Sequence, residues 1–247
     1  MTAEPVIVMA QVTKRFGGVA AVEQLSLTIG KGEIVAIVGR TGSGKSTAMQ
    51  AIIGTFPVDA GRIRVAGRDP YAERRTLRGQ LAVAFQTDRL LPWRRAWENV
   101  AIGLEIFHVP RPRREAIARE WLARVKMAGA EQKYPHELSG GMRQRVSFAR
   151  ALAVDPAIVL LDETFSQLDE LTSRELRNDF MALVRSLGKT SILITHRIDE
   201  ALEVGDRVVV LRTPGHVVHE AAPTPDDRAD PERMAKLRTE IKAVMAD

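Results

Sequence analysis

The stretch Glu33-Ile34-Val35-Ala36-Ile37-Val38-Gly39-Arg40-Thr41-Gly42-Ser43-Gly44-Lys45-Ser46-Thr47 decides the fold. Glu33 to Val38 is a short apolar run ending in glycine and reads as a buried strand. Lys45 to Ile53 has helical spacing. Between them Gly39, Arg40, Thr41, Gly42, Ser43, Gly44, Lys45, Ser46 and Thr47 fit G-x-x-x-x-G-K-[ST]. Each position has a physical task. Glycines admit positive φ and let the backbone approach an anion closely. Successive N–H groups at a helix start, where the dipole favours negative charge, cradle phosphates. Lys45 then reaches the β- and γ-phosphates, and the Ser46 hydroxyl ligates Mg²⁺. Ordinary residue frequencies give a chance match in about one chain in fifty of this length. A strand before the loop and a helix after it make nucleotide binding the expectation.

Moving outward, Ile158-Val159-Leu160-Leu161-Asp162-Glu163 is an apolar strand that ends in two acids. Open α/β sheets bind ligands at the carboxyl ends of their strands. There Asp162 is expected to orient Mg²⁺ through water, and Glu163 to polarise the water that attacks the γ-phosphate. Paired acids alone say little, because a helix N-terminus also favours them. Upstream, Leu138-Ser139-Gly140-Gly141-Met142-Arg143-Gln144-Arg145 opens a helix. Ser139, Gly140 and Gly141 form a second anion site with N–H donors and a hydroxyl but no lysine, or else a plain capped helix.

The rest of the chain frames these motifs. Val6 to Val8 and Val22 to Ile29 have β character. From Asp88 to about Leu152 the pattern turns helical. Trp97 to Phe107 is expected to be one helix, and another starts near Pro112 with Ile117, Trp121, Leu122 and Val125 on one face. Leu171, Leu176, Phe180, Leu183, Val184 and Leu187 give a further helix face, and Ser191 to Thr195 and Arg207 to Leu211 are strands. Alternating strands and helices indicate a largely parallel sheet with an inserted helical lobe. Near Ala221 the chain turns rich in Pro, Asp and Ala, the composition of a linker. Met234, Leu237, Ile241 and Val244 then predict a terminal amphipathic helix.

In this order the motifs resemble those of the ABC ATPases, and the resemblance runs from residue 6 to about 220. It implies an α/β P-loop core, mostly parallel with an antiparallel β subdomain, plus an inserted α-helical subdomain. The implied bounds are one domain over 4–220, with core at 4–87 and 153–220, helical subdomain at 88–152, and a linker and helix over 221–247. Gln86 matches the glutamine that contacts Mg²⁺ and the attacking water. His196 matches the histidine that hydrogen-bonds the γ-phosphate. Asp169, in Ser166-Gln167-Leu168-Asp169, matches the loop that crosses to a partner subunit, and Phe16 the aromatic that stacks on adenine. Three departures stand out: Thr164 where proline is common, Gln167 where alanine is frequent, and Arg40 where proline or serine is usual.

The resemblance further implies a head-to-tail pair, a homodimer or a pairing with an equivalent subunit, in which Ser139 of one chain serves the other's ATP. Leu90-Leu91-Pro92-Trp93, Trp97-Glu98-Asn99-Val100 and Arg212-Thr213-Pro214-Gly215 resemble the nitrate/sulfonate/taurine importer branch. That branch implies membrane permease partners, a solute-binding protein and a place on the cytoplasmic face of the inner membrane. The alternatives are a non-transport ABC ATPase of ribosomes or DNA, and the ATPase of a lipid-moving or export complex. Tandem ATPase units or long coiled-coil insertions, usual in the non-transport group, find no room in 247 residues.

Composition is consistent with this reading. Hydrophobic residues make up 45% and charged residues 27%, and no apolar run approaches the roughly 20 residues of a membrane-spanning helix. Met1 leads straight into a strand-like stretch, so no secretory signal is expected. With no cysteine, disulfides and thiolate metal sites are excluded. The net charge is +5, with Arg74-Arg75, Arg94-Arg95 and Arg113-Arg114 interleaved with acids and no aromatic ladder beside them. That pattern reads as a solvated surface with some affinity for anionic headgroups, and no nucleic-acid partner is expected.

Overall fold

A computed structural model describes residues 4–166 and 169–246; Gln167 and Leu168 lie outside the described residues. The chain begins with β1 (Pro5–Phe16), β2 (Val19–Gly30), β3 (Ile34–Val38), α1 (Lys45–Ile53), β4 (Ala60–Val65) and β5 (Leu81–Ala84). Helices α2 (Ala96–Val100), α3 (Ile102–Ile106), α4 (Arg111–Arg124) and α5 (Gly140–Leu152) follow. Then come β6 (Ile158–Asp162), α6 (Glu170–Ser186), β7 (Thr190–Thr195), α7 (Ile198–Val204), β8 (Arg207–Arg212) and β9 (His216–Ala221), and last α8 (Pro225–Ala229) and α9 (Pro231–Ala246). Contacts divide the chain into two units, Met1–Arg78 with Thr190–Asp247, and Gly79–Lys189.

In the first unit, β1 and β2 alternate buried apolar residues with outward ones, the mark of a strand covered on one face. Gly17 and Gly18, both at positive φ, turn the chain between them. β4 completes this antiparallel sheet in the order β2-β1-β4. β3 is buried along its whole length because β7 and β8 flank it in parallel, while β9 closes β8 antiparallel. The register sets Val38 opposite both Thr195 and Val210, so the loops after β3, β7 and β8 leave from one edge. α1 buries Ala48, Met49, Ala51 and Ile52, and α9 buries Ile241 completely.

The second unit builds on α5, which buries Val146, Phe148, Ala149 and Leu152. Phe148 stacks on Phe180 of α6 at 4.0 Å between centroids and tilts against Phe165 at 5.6 Å. Fully burying one such ring stabilises the unit by about 1.5–3 kcal/mol. β5 and β6 pair in parallel, with Ala84 opposite Leu161.

Three expectations need amendment. The single helix over Trp97 to Phe107 is two short ones, α2 and α3, parted at Ala101. Asn99 is fully buried and spends its side chain on the preceding loop, and Gly103 is needed where a Cβ would lie 2.4 Å from Val154 Cγ1. Leu171, placed on the apolar face of α6, is 82% exposed in its first turn. The stretch around Ala221 is more ordered than a linker. β9 runs up to Ala221, and α8 starts at a reciprocal cap in which Thr224 Oγ1 accepts from the Asp227 N–H at 3.1 Å and Asp227 accepts from the Thr224 N–H at 2.9 Å.

Candidate nucleotide site

The first unit carries the lysine-bearing loop. Buried β3 delivers Gly39, and α1 starts at Lys45 behind Gly44, which has φ 85° and offers no side-chain cap. A helix start without a capping side chain leaves its N–H groups to an anion. Space enforces the glycines. A Cβ on Gly39 would lie 2.4 Å from the Leu211 carbonyl, and one on Gly44 would lie 2.5 Å from the Ala21 carbonyl. Gly42 has φ 83° and nothing within 4 Å, so there the demand is conformational. Lys45 is buried, and its Nζ donates to the carbonyls of Gly39 at 2.8 Å and Arg40 at 2.9 Å. The ammonium is thereby held over the hollow of its own loop. Ser43 N–H donates to the Arg40 carbonyl at 3.1 Å, which closes the turn.

Two features that sequence reasoning did not assign to the loop brace it. The Thr213 hydroxyl donates to the Gly42 carbonyl at 3.2 Å. Gly215, at φ 60°, packs so closely that a Cβ on Gly44 would lie 2.8 Å from its Cα. His196 follows Thr195, the register partner of Val38, and is exposed at the same sheet edge as Gly39. Glu200, itself buried, frames that turn. It accepts from the Thr195 hydroxyl at 2.7 Å, and the Thr195 oxygen accepts from the Arg197 N–H at 3.0 Å. Phe16 is 50% exposed at the end of β1, edge-on to Phe56, with Lys14 Nζ 5.4 Å from its ring centre. Its exposed face is free of the core and can take a planar base.

The second unit holds the other expected residues. Gln86 and Glu163 each stand two residues beyond a paired position, Ala84 and Leu161, so β5 and β6 deliver them to one edge. Gln86 Nε2 donates to Ser166 Oγ at 3.2 Å, and that hydroxyl donates to the Glu163 carbonyl at 2.8 Å. Glu163 has φ 46°, a left-handed conformation that costs a non-glycine residue about 1–3 kcal/mol and that clusters at working sites. Asp162 ends β6, half-buried. Thr164 is buried where proline would have left no hydroxyl, and its Oγ1 donates to the Ala84 carbonyl at 3.2 Å. The departure thus ties the carboxylate turn to β5.

Ser139 caps α5, accepting from the Met142 N–H at 3.3 Å, and is exposed; Gly140 and Gly141 begin the helix. A Cβ on Gly141 would meet only Thr172 Cγ2, at 3.3 Å. Arg143 donates to the Asp88 carboxylate at 3.0 Å, and Arg150 to the Arg89 carbonyl at 2.8 Å. These bonds fasten the segment after Gln86 to the helix that begins at Ser139. Asp169 caps α6, and the Thr172 N–H holds its carboxyl below the usual carboxylate range.

A protein-family model described as ABC transporter matches residues 22–166. The chain belongs to the ABC transporter family. An ABC cassette is an ATP-binding, ATP-hydrolysing unit, and this chain is one. Curated relatives include the taurine import ATP-binding protein TauB of Escherichia coli K12, 40% identical over 82% of this chain and 78% of the relative. TauB of Burkholderia pseudomallei 1710b is 43% identical over 83% of this chain and 77% of the relative. Among solved structures, the ATP-binding cassette MJ0796, in a dimeric post-hydrolysis state bound to ADP and Pi, superposes with TM-score 0.77 at 31% identity. It covers 88% of this chain and 99% of that one. CbiO1 of Clostridium perfringens, part of the ABC transporter complex cbiONQ, gives TM-score 0.84 at 25% identity over 98% of each chain. The expected fold, a P-loop core with an antiparallel sheet and helices, is therefore that of the ABC cassettes. Among the described residues no helix is long and apolar enough to cross a membrane.

Proposed function

We propose that this ABC cassette powers an importer of a small anion or organic solute of the nitrate, sulfonate and taurine type. Two copies, or one copy and an equivalent subunit, hold two ATP molecules head-to-tail at the cytoplasmic face of the membrane. The observation that carries the reading is the pairing of two unlike helix starts in one chain. One is a lysine-bearing loop complete in itself; the other is an exposed Ser139-Gly140-Gly141 turn with no lysine. The second makes sense as a half-site offered to another subunit's nucleotide.

Within each site the loop Gly39 to Thr47 binds the phosphates, Lys45 neutralises their charge, and Phe16 takes the adenine. Ser46, Gln86 and Asp162 would hold Mg²⁺, their oxygens being hard ligands for a hard cation, and the ion would supply neutralisation of the charge that develops on the departing ADP. Glu163 orients and polarises the attacking water, and His196 hydrogen-bonds the terminal phosphate. Asp169 meets the other subunit. The helical subdomain, taken as 88–152 inside a core of 4–87 and 153–220, meets the permease. A cavity of about 330 Å³ there, lined by Trp93, Trp97, Glu98, Glu105 and Arg114, has room for side chains projected from a permease helix. Trp93 is 70% exposed at its mouth. The identity to the TauB proteins over four-fifths of the chain supports a small solute of the taurine type as cargo.

Glu163→Gln tests the enzyme. Turnover should fall by roughly 10²–10⁴-fold while ATP binding persists, and the variant should run as an ATP-dependent dimer in size-exclusion chromatography. Near-normal hydrolysis would remove Glu163 from its role. Uptake of labelled taurine, sulfonate and nitrate by proteoliposomes holding the chain with its co-purified permease identifies the cargo.

A further inference from the structure

Residues 62–78 carry six arginines, Arg62, Arg64, Arg68, Arg74, Arg75 and Arg78, against two carboxylates, Asp69 and Glu73. Four charges of the chain's net +5 therefore reside in this one stretch. All six arginines are exposed. For Arg62 and Arg64 the reason is the two-residue period of β4, in which Ile63 and Val65 turn inward and the arginines outward. β4 is an edge strand of its sheet, so nothing in its own sheet covers this side.

The turns after the strand are tied back to it through Glu73. Glu73 lies 3.9 Å from Arg64 and 3.6 Å from Arg68, and it accepts from the Asp69 N–H at 3.0 Å. Asp69 in turn accepts from the N–H groups of Tyr71 at 3.0 Å and Ala72 at 2.9 Å. Both carboxylates are spent on shaping the turn. Among the described residues Arg62, Arg74, Arg75 and Arg78 form no ion pair. Tyr71, in the same stretch, is exposed and lines a hollow with Phe56 and Ile63.

We propose that this arginine face binds the anionic headgroups of a phospholipid bilayer directly, without a permease between them. Guanidinium groups match phosphodiester oxygens two at a time, and a phenol beside them suits the headgroup layer. Single-stranded nucleic acid would call for successive stacking aromatics, and the stretch offers one exposed ring. Each basic residue near an anionic surface strengthens adsorption roughly fivefold, so the excess here is ample for reversible attachment. The inference stands apart from the transport reading, since the chain alone is enough to test it.

The test is co-sedimentation of the full chain with phosphatidylglycerol and phosphatidylcholine vesicles at rising salt. Binding should be confined to phosphatidylglycerol and fade with salt. The double variant R74E/R75E should lose at least tenfold in vesicle affinity with ATPase activity unchanged, and R62E/R64E should do likewise. K236E/K242E on α9 makes the same change in net charge at another place and should bind nearly as the parent does. Equal binding to both vesicle types would overturn the proposal. So would unaltered binding by both arginine variants, equal losses in the α9 control, or displacement of the vesicles by sub-stoichiometric single-stranded RNA.

Discussion

The chain opens two long-range helices on glycine turns, and the turns are built to opposite specifications. Before α1 no side chain caps the helix, the glycines at Gly39 and Gly44 are walled in by carbonyls, and a buried lysine lies across the hollow. Before α5 a serine caps the helix itself, no carbonyl crowds Gly141, and Ser139 is open to solvent. One is a closed cradle whose backbone donors have been kept for an anion. The other has satisfied part of its own need and presents an outward edge. An anion site can thus be complete in itself or half of a shared one, and the capping pattern distinguishes the two.

The largest effect should come from breaking the cradle. Lys45→Ala should weaken ATP binding by about 10²-fold or more, since it removes a charge-assisted contact in a buried setting, and calorimetry of the chain with ATP measures it. Ser139→Arg is the counterpart at the open turn. ATP binding by the monomer should stay within about twofold while ATP-dependent dimerisation and cooperative hydrolysis disappear. If that variant still dimerises with ATP, the two turns do not share a nucleotide. A pair of alanine substitutions sharpens the contrast in space alone. Gly39→Ala drives a methyl into the Leu211 carbonyl and should abolish binding, whereas Gly141→Ala meets only the Thr172 methyl, at 3.3 Å, and its monomer should bind ATP normally.

Smaller effects test the surroundings. Thr213→Val removes one hydrogen bond to Gly42, worth about 0.5–1.5 kcal/mol, so KM for ATP should rise about two- to tenfold with little change in kcat. Smallest is a pH effect that separates a hydroxyl cap from a carboxylate cap. The Asp169 carboxyl is held below its ordinary value by the Thr172 N–H, so its contribution is present above that ordinary value. It is lost as pH falls through the depressed one. Protection of the Thr172 amide, measured against its intrinsic exchange rate at each pH, should therefore fall in acid; Asp169→Asn should abolish that dependence, and the Ser139 cap of α5 should show none.

The strand, loop and helix around Lys45 were legible in the sequence because they are contiguous, and local spacing encodes them. The strand ending in Asp162 and Glu163 and the helix opening at Ser139 were legible for the same reason. What escaped depends on distant pairs. Thr213 meets Gly42 across 171 positions, and no periodicity announces such a contact. Glu200 reads as one more helical acid until Thr195 is found beside it. Asn99 weakened the expected helix over Trp97 to Phe107 as a poor helix former, yet its purpose is tertiary. The helix parts at Ala101 because neighbouring segments impose demands that propensity does not contain. Leu171 misled in the opposite way, being apolar at the right spacing but too near the helix start to be covered.

Asn99 deserves to be followed one step further, to the loop it serves. Its amide accepts from the Leu91 N–H at 2.8 Å and donates to the carbonyls of Leu91, Arg94 and Arg95 at 3.2, 3.0 and 3.2 Å. Four bonds from one buried side chain freeze the backbone on either side of the exposed Trp93. The backbone that carries the indole is consequently settled before any encounter, and little main-chain freedom remains to be lost when something closes over it. A surface prepared in this way favours partners of matching shape and is intolerant of others, which makes the asparagine a determinant of fidelity at a distance from the contact itself.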